Sequence, residues 1–114
     1  MGTFRDLGVY KKAFSLSMEI FEITSGFPDN EKYGLVSQIR RSSRSVSANV
    51  GEGYRKRRYK AHFISKTTDA DMENTETQSN YIGEELYKKL IENSEEIRKL
   101  LNHMIENPEK YGAV

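Results

Sequence analysis

Hydroxyl, imidazole and carboxylate side chains supply the reactive groups of this chain, and their spacing limits what they could do. Serines are plentiful, with Ser42, Ser43, Ser45 and Ser47 in one short run, but a nucleophilic serine needs an imidazole within reach. The two histidines, His62 and His103, are separated by a predicted helix and more. No Gly-x-Ser-x-Gly turn, glycine-rich phosphate loop or metal-ligand histidine spacing occurs. His62, beside Lys60 and Phe63, reads as a partly exposed helix residue. Asp69, Asp71, Glu73 and Glu76 suggest a cation site, yet Asp69, Glu73 and Glu76 fall at i, i+4 and i+7, the spacing of a solvated or salt-bridged helix face. The chain has no cysteine, which removes thiolate ligands, thiol nucleophiles and disulfides. The residues therefore predict no catalytic centre, no metal and no cofactor.

Cations carry the stronger signal. Arg40, Arg41, Arg44, Arg55, Lys56, Arg57, Arg58, Lys60 and Lys66 are half of the 18 Lys and Arg, and between Ser37 and Lys66 they meet one acid, Glu52. The following block, Thr67 to Glu85, carries Asp69, Asp71, Glu73, Glu76, Glu84 and Glu85 with no Lys or Arg. A formal charge of +1 therefore conceals a polarised molecule. Clustered guanidiniums bind phosphates bidentately and release counterions, and Tyr54 or Tyr59 could stack on exposed bases. The competing reading is that the acidic block pairs with the basic one, within or between subunits.

Four helices must position these groups. The first runs from about Asp6, as N-cap, to Ser25, before Gly26-Phe27-Pro28. It carries two apolar stripes: Leu7, Tyr10, Phe14, Met18 and Phe21, and on nearly the opposite side Val9, Ala13, Leu16, Ile20 and Ile23. One core needs one stripe, so the second set, Val9 to Ile23, is expected to cover another subunit. The second helix runs from about Glu31, capped by Asp29 or Asn30, to Tyr54, with Leu35, Ile39, Ser42, Val46, Val50 and Gly53 inward. Its many small residues permit close backbone approach, while Arg40, Arg44 and Arg55, flanked by Arg41, share the opposite face. A basic connector, Arg55 to Arg58, leads to a third helix from about Lys60 to Ile82, whose best stripe is Phe63, Thr67, Ala70, Asn74, Thr77 and Tyr81. After Gly83 a fourth helix runs from about Glu84 to Asn107, with Tyr87, Leu90, Ser94, Ile97, Leu101 and Met104 in heptad spacing.

These elements predict one all-α domain over 1–114, an antiparallel up-and-down four-helix bundle assembling into a homo-oligomer. No apolar run approaches the roughly 20 residues that cross a bilayer, so no membrane partner is expected. The N-terminus lacks an apolar signal-peptide core, and the absence of cysteine fits a reducing cytoplasm.

Several runs resemble a known family. Phe4-Arg5-Asp6-Leu7 with Val9-Tyr10-Lys11-Lys12-Ala13 looks like its opening. Phe27-Pro28, Glu31-Lys32-Tyr33-Gly34-Leu35 and Gln38-Ile39-Arg40-Arg41-Ser42-Ser43 look like its central signature. Asn49-Val50-Gly51-Glu52-Gly53 is similar to its Asn-Ile-Ala-Glu-Gly motif, with Gly51 where Ala is usual. This is the bacterial four-helix bundle family named for proteins encoded in intervening sequences of 23S rRNA genes, which also includes the accessory variability determinant of diversity-generating retroelements. The resemblance implies a homopentamer, and in the retroelement relatives a basic surface that engages nucleic acid and a reverse transcriptase. Within the motif, Glu52 reads either as an acid or partner contact, or as a helix partner of Arg55 or Lys56, with Asn49 bonding across the bundle.

The expected function is non-enzymatic: RNA or DNA held electrostatically by Arg40, Arg41, Arg44, Arg55, Lys56, Arg57, Arg58 and Lys60. The alternative is a protein-interaction scaffold whose charges select a protein partner without nucleic acid.

Overall fold

The computed structural model describes residues 3–26, 34–79 and 88–113. Among these, four α-helices form and no strand does: α1 Gly8–Ser25, α2 Leu35–Arg55, α3 Lys60–Ser79 and α4 Lys88–Glu106. Short 3-10 turns stand at Phe4–Asp6 and Pro108–Tyr111. Asp6 does not cap α1 as expected. Its carboxylate accepts from Thr3 N at 3.0 Å while the Thr3 hydroxyl accepts from Arg5 N at 3.2 Å, a capping box on the preceding 3-10 turn. Leu7 is then extended, and α1 starts one residue later. Gly34, at φ 93°, sits in the left-handed region that glycine tolerates, and regular helix begins after it. The proposed caps Asp29 and Asn30, the start at Glu31, the end of the third helix at Ile82 and the break at Gly83 with the start at Glu84 lie outside the described residues.

Packing runs α1 on α2, α2 on α3, α3 on α4 and α4 back on α1, an arrangement consistent with a bundle, about 47 × 22 × 22 Å. Three contacts mark these neighbours. Phe4 lies against Gly51, Arg40 reaches Thr24, and Ser42 meets Thr77.

The stripe of α3 is the least hydrophobic of the expected core faces, and it is buried throughout its described part: Phe63, Thr67, Ala70, Asn74 and Thr77. Burying so many polar side chains is tolerable because each is bonded. Thr67 Oγ1 donates to Phe63 O at 2.7 Å, Ser42 and Thr77 hydroxyls meet at 2.8 Å, and Asn74 and Ser94 exchange two bonds of 2.9 Å. Phe63 supplies the apolar anchor, a side chain whose burial contributes about 1.5–3 kcal/mol. The inward residues of α2 and α4 are also buried where described: Ile39, Ser42, Val46 and Val50, then Leu90, Ser94, Ile97, Leu101 and Met104. Small residues on α2 allow the close approach expected of them. A Cβ on Gly53 would lie 3.1 Å from Lys66 Cβ and 3.4 Å from Phe63 O.

Helix α1 reverses the expected assignment of its two stripes. Val9, Ala13, Leu16 and Ile20 are buried in the core of a single chain, with Ile23 packed at its edge. They are therefore not available as a surface between subunits. The stripe left in solvent is the aromatic one, with Phe14 50%, Met18 48% and Phe21 51% exposed. Both stripes are apolar at helical period, so periodicity alone does not rank them. What does is the flank: Ser17 and Thr24 are buried beside the aliphatic stripe, and their hydroxyls bond to Phe14 O and Ile20 O at 2.7 Å, which lets that side turn inward.

The chain closes over one end of the bundle. Tyr111 stacks on Phe63 at 6.4 Å between centroids, and its hydroxyl lies 2.7 Å from His103 Nδ1. Gly112 turns the backbone at φ 86°, and Ala113 is fully buried.

Candidate nucleic-acid interface

The eight cations expected to hold phosphate divide into two groups. Arg44 and Arg55 are 11 residues apart on α2, about 16 Å along the axis at a rise of ~1.5 Å. Arg40, Arg41 and Arg44 therefore sit toward the start of α2, and Arg55 to Lys60 at its far end, where the connector and the Pro108–Tyr111 turn also lie.

The first group is largely engaged within the chain. Arg40 folds back on the end of α1: its Nε donates to Thr24 Oγ1 at 2.8 Å, its Nη2 to Phe21 O and Ser25 Oγ at 3.4 Å, and the guanidinium lies 4.4 Å over the Phe21 ring. It adds a donor to a last-turn carbonyl that the Ser25 and Thr24 hydroxyls also serve, at 2.7 and 3.2 Å. Arg41 bridges to α3, with Nη1 3.2 Å from Glu73 and Nη2 2.8 Å from Glu76. Those carboxylates, chiefly the Glu76 hydrogen bond, hold the Arg41 pKa above its usual value. The acidic block thus does pair with the basic one, at this residue and where Lys66 lies 4.0 Å from Asp69. Arg44 is exposed and, among the described residues, donates only to Arg40 O, at 3.2 Å.

The second group is more open. Arg55, Arg58 and Lys60 are exposed with no carboxylate partner among the described residues. Lys56 is also exposed and lies 3.4 Å from Glu52, which is 3.6 Å from Lys66 as well. Arg57 is the exception: its guanidinium covers Tyr54 at 4.2 Å, donates to Tyr54 O at 2.9 Å, and packs where a Gly112 Cβ would lie 3.1 Å away. That packing leaves Tyr54 a covered ring. Tyr59, 65% exposed and meeting the His62 ring at 86°, is the open one among the described residues. Of the eight arginines and lysines expected to hold phosphate, six are exposed; Arg41 is held by Glu73 and Glu76 and Lys56 by Glu52, which leaves Arg44, Arg55, Arg58 and Lys60 without a carboxylate partner among the described residues.

Beside this end runs a groove of about 580 Å³ between α1 and α2, lined by Phe4, Tyr10, Ser47, Ala48, Gly51, Glu52, Arg55 and Lys56. A Cβ on Gly51 would come within 2.9 Å of the Phe4 ring, so glycine here lets that ring lie flush on α2. Phe4 meets Tyr10 edge to face at 5.1 Å. Sequence alone gave Arg55 and Lys56 as phosphate contacts and Gly51 and Glu52 as motif residues, while Phe4 and Tyr10 entered through the family's opening and an apolar stripe and not as neighbours of that motif. The exchange of Ala for Gly in the motif was the available signal.

The motif residues have structural partners. Glu52 takes the helix pairing with Lys56, while Asn49 Nδ2 donates to Ser45 O of its own helix at 3.0 Å rather than across the bundle. Gly53 sets the approach of α3. The acids that suggested a cation site are dispersed: Asp69 faces Lys66 at 4.0 Å, Glu73 and Glu76 hold Arg41, and no three His, Asp or Glu side chains converge among the described residues. His62 has no carboxylate partner there, and no described helix is long and apolar enough to cross a membrane.

Comparison with known proteins agrees with this architecture. No curated protein matches the chain. A crystal structure of a protein of unknown function from the S23 ribosomal protein family of Bacteroides thetaiotaomicron VPI-5482 is similar at 29% identity, covering 86% of this chain and 95% of that one, with a TM-score of 0.76. The family model of the 23S rRNA-intervening sequence protein matches residues 5–103, nearly the whole bundle, and the chain belongs to that family.

Proposed function

We propose that this protein is a non-enzymatic, cytoplasmic, antiparallel bundle that assembles with copies of itself and binds RNA or DNA electrostatically through its basic end. The observation that carries the reading is the cluster of Arg55, Lys56, Arg58 and Lys60, exposed around one helix junction, with the open ring of Tyr59 among them. Cations on one short connector track a phosphate backbone, and a bare aromatic ring adds sequence-tolerant stacking. Self-association is supported by the exposed Phe14, Met18 and Phe21 stripe, and the family resemblance favours five copies. Repeating a weak site around a ring raises avidity through effective concentration.

Titration of a fluorescent single-stranded RNA against salt tests the reading. Affinity should fall steeply with salt, and Arg55, Arg58 and Lys60 changed together to Ala should lower the slope of log K on log salt by about 0.7 for every phosphate no longer neutralised. Arg41→Ala, whose guanidinium is already held by Glu73 and Glu76, should leave that slope unchanged. Absence of binding at low salt refutes the proposal.

The second reading, a protein-interaction scaffold, draws on the same exposed Phe14, Met18 and Phe21, which would then receive a partner protein. A preparation free of nucleic acid that binds none at low salt would favour it.

A further inference from the structure

The junction between α2 and α3 is held from outside its own two helices. Five of the six residues from Arg55 to Lys60 are cations, and among the described residues the one carboxylate against them is Glu52, 3.4 Å from Lys56. Like charges so close push a short connector apart unless something fixes it. Its own backbone gives two turn bonds, Arg57 N to Tyr54 O at 3.2 Å and Tyr59 N to Lys56 O at 2.9 Å. The further hold is Arg57, the half-buried member of the five. Its guanidinium lies 4.2 Å over the Tyr54 ring, and Nη1 donates to Tyr54 O at 2.9 Å. Its Cδ and Nε pack on Gly112, where a Cβ would come within 3.1 and 3.2 Å of them. Gly112 is itself clamped: it turns at φ 86°, its N–H donates to Glu109 O at 3.2 Å, and Ala113 N donates to Pro108 O at 3.1 Å, with Ala113 fully buried. Tyr111 carries the same turn onto the start of α3, by stacking on Phe63, and onto α4, by the 2.7 Å contact of its hydroxyl with His103 Nδ1. Connector, α3 and α4 thus meet on one turn.

We infer that Arg57 is a positioning residue of the basic end and not one of its phosphate contacts, and that the turn from Pro108 to Ala113 is the clasp that presents Arg55, Arg58 and Lys60 to a ligand. A guanidinium laid on a ring, with one arm on a carbonyl and its stem against a glycine, has its face and part of its fork already committed. Arg55, Arg58 and Lys60 have no such commitment among the described residues, and all three are exposed. With the connector held, those side chains start from fixed anchor points, and a surface ordered in advance binds more tightly than one ordered on contact. The binding consequence rests on the electrostatic reading above and adds to it a means of control. Whatever opens the turn weakens the basic end without altering its charge.

The full chain is compared with Arg57→Lys, Arg57→Ala and Gly112→Ala by two measurements. Amide hydrogen exchange, without nucleic acid, reads the connector. Arg57→Lys keeps the charge but loses the planar fork, and Gly112→Ala strains the left-handed turn and crowds Arg57. In both, the amides of residues 57 and 59 should exchange about 3- to 30-fold faster, the worth of a partly buried cation–π contact. Titration of a fluorescein-labelled single-stranded RNA against salt reads the binding. Arg57→Lys and Gly112→Ala should each weaken it by about 2- to 10-fold, the cost of ordering one freed side chain on arrival, with the salt slope unchanged. Arg57→Ala should leave the slope unchanged as well. A slope lower by about 0.7 in Arg57→Ala makes Arg57 a phosphate contact and overturns the inference. Unaltered exchange in both Arg57→Lys and Gly112→Ala removes the clasp while leaving the electrostatic reading standing. Faster exchange with unaltered affinity also overturns the inference, since the turn would then serve the fold alone. Failure of the unaltered protein to bind refutes the electrostatic reading itself, and the positioning role falls with it.

Discussion

Asn74→Ala is the most searching single change in the core. Asn74 and Ser94 are essentially inaccessible and bond reciprocally: Asn74 Nδ2 to Ser94 O at 2.9 Å, and Ser94 Oγ to Asn74 Oδ1 at 2.9 Å. Truncating Asn74 removes both bonds and opens space between α3 and α4; the Ser94 carbonyl keeps its helical backbone partner, so the Ser94 hydroxyl is the group left facing a void. At about 1–3 kcal/mol for a buried polar group deprived of its partner, with the cavity adding to it, the loss should be ~2–4 kcal/mol. Ser94→Ala removes one bond only and should cost ~1–3 kcal/mol. A chain of 114 residues at about 0.05–0.15 kcal/mol per residue has ~6–17 kcal/mol in total, so Asn74→Ala consumes a large share. Urea unfolding of the wild type, the two single variants and the double variant gives the coupling, at one fixed protein concentration so that association contributes equally. The double variant should lose less than the sum of the singles, by about 1 kcal/mol or more. Losses that add to within ~0.5 kcal/mol would mean that the two side chains do not depend on one another, and a bonded polar core would be ruled out.

Two carboxylates on the α3–α4 side should respond to pH in opposite senses. Burial, partly opposed by Arg98, raises the Asp71 pKa, and Asp71 Oδ1 has no hydrogen-bond partner. The folded state then holds the Asp71 proton more tightly than the unfolded state, so the charged form weakens folding at neutral pH and the penalty fades in acid. Asp71→Asn should raise the urea midpoint at neutral pH, and the gain should disappear as pH falls to the ordinary carboxylate range. Glu95 is lowered, first by the Gln78 hydrogen bond and then by Arg98, with burial opposing. Its contribution is present above the usual glutamate range and lost as pH falls through its depressed value, so Glu95→Gln should lower the midpoint at neutral pH but not in acid. Gly51→Ala gains about 1 kcal/mol of helix propensity but drives a Cβ to 2.9 Å from the Phe4 ring. The N-terminal turn should therefore detach, seen as faster proteolysis before α1 with little change in the global midpoint. Phe14, Met18 and Phe21 changed together to Ser should shift the mass in solution toward the 13.2 kDa monomer while helical content is retained. An unchanged mass would place the interface between copies elsewhere.

What sequence made legible was phase. A heptad on α4 and the hydroxyl-rich stripe of α3 both mark the buried face correctly, because helical period fixes which side chains point together whatever their polarity. It did not make legible a choice between two faces that are both apolar. On α1 the decision fell to Ser17 and Thr24, whose hydroxyls satisfy themselves on the preceding turn and so can turn inward. Charge was legible as a total and not as a commitment. Arg40 is engaged by Thr24, 16 positions earlier, and Arg41 by Glu73 and Glu76 more than 30 positions later. Such pairs depend on which helices become neighbours. The groove was hidden for the same reason, since Phe4 and Gly51 meet only when α1 lies beside α2.

The hydroxyl and amide pairs between helices have a consequence for the basic end. Oily interiors let one rod slip past another by a turn with modest loss, because any greasy neighbour substitutes for the next. One turn from Ser94 on α4 stand the apolar Leu90 and Ile97, so its exchange of bonds with Asn74 ties α3 to α4 lengthwise, and the Ser42–Thr77 bond adds a contact between α2 and α3. Arg55 ends α2 and Lys60 begins α3, so the spacing of their anchor points follows from how those helices are tied, with Arg58 on the short connector between them. Under the proposed function, a strand laid across them would meet a ready-spaced template and need not organise it on arrival.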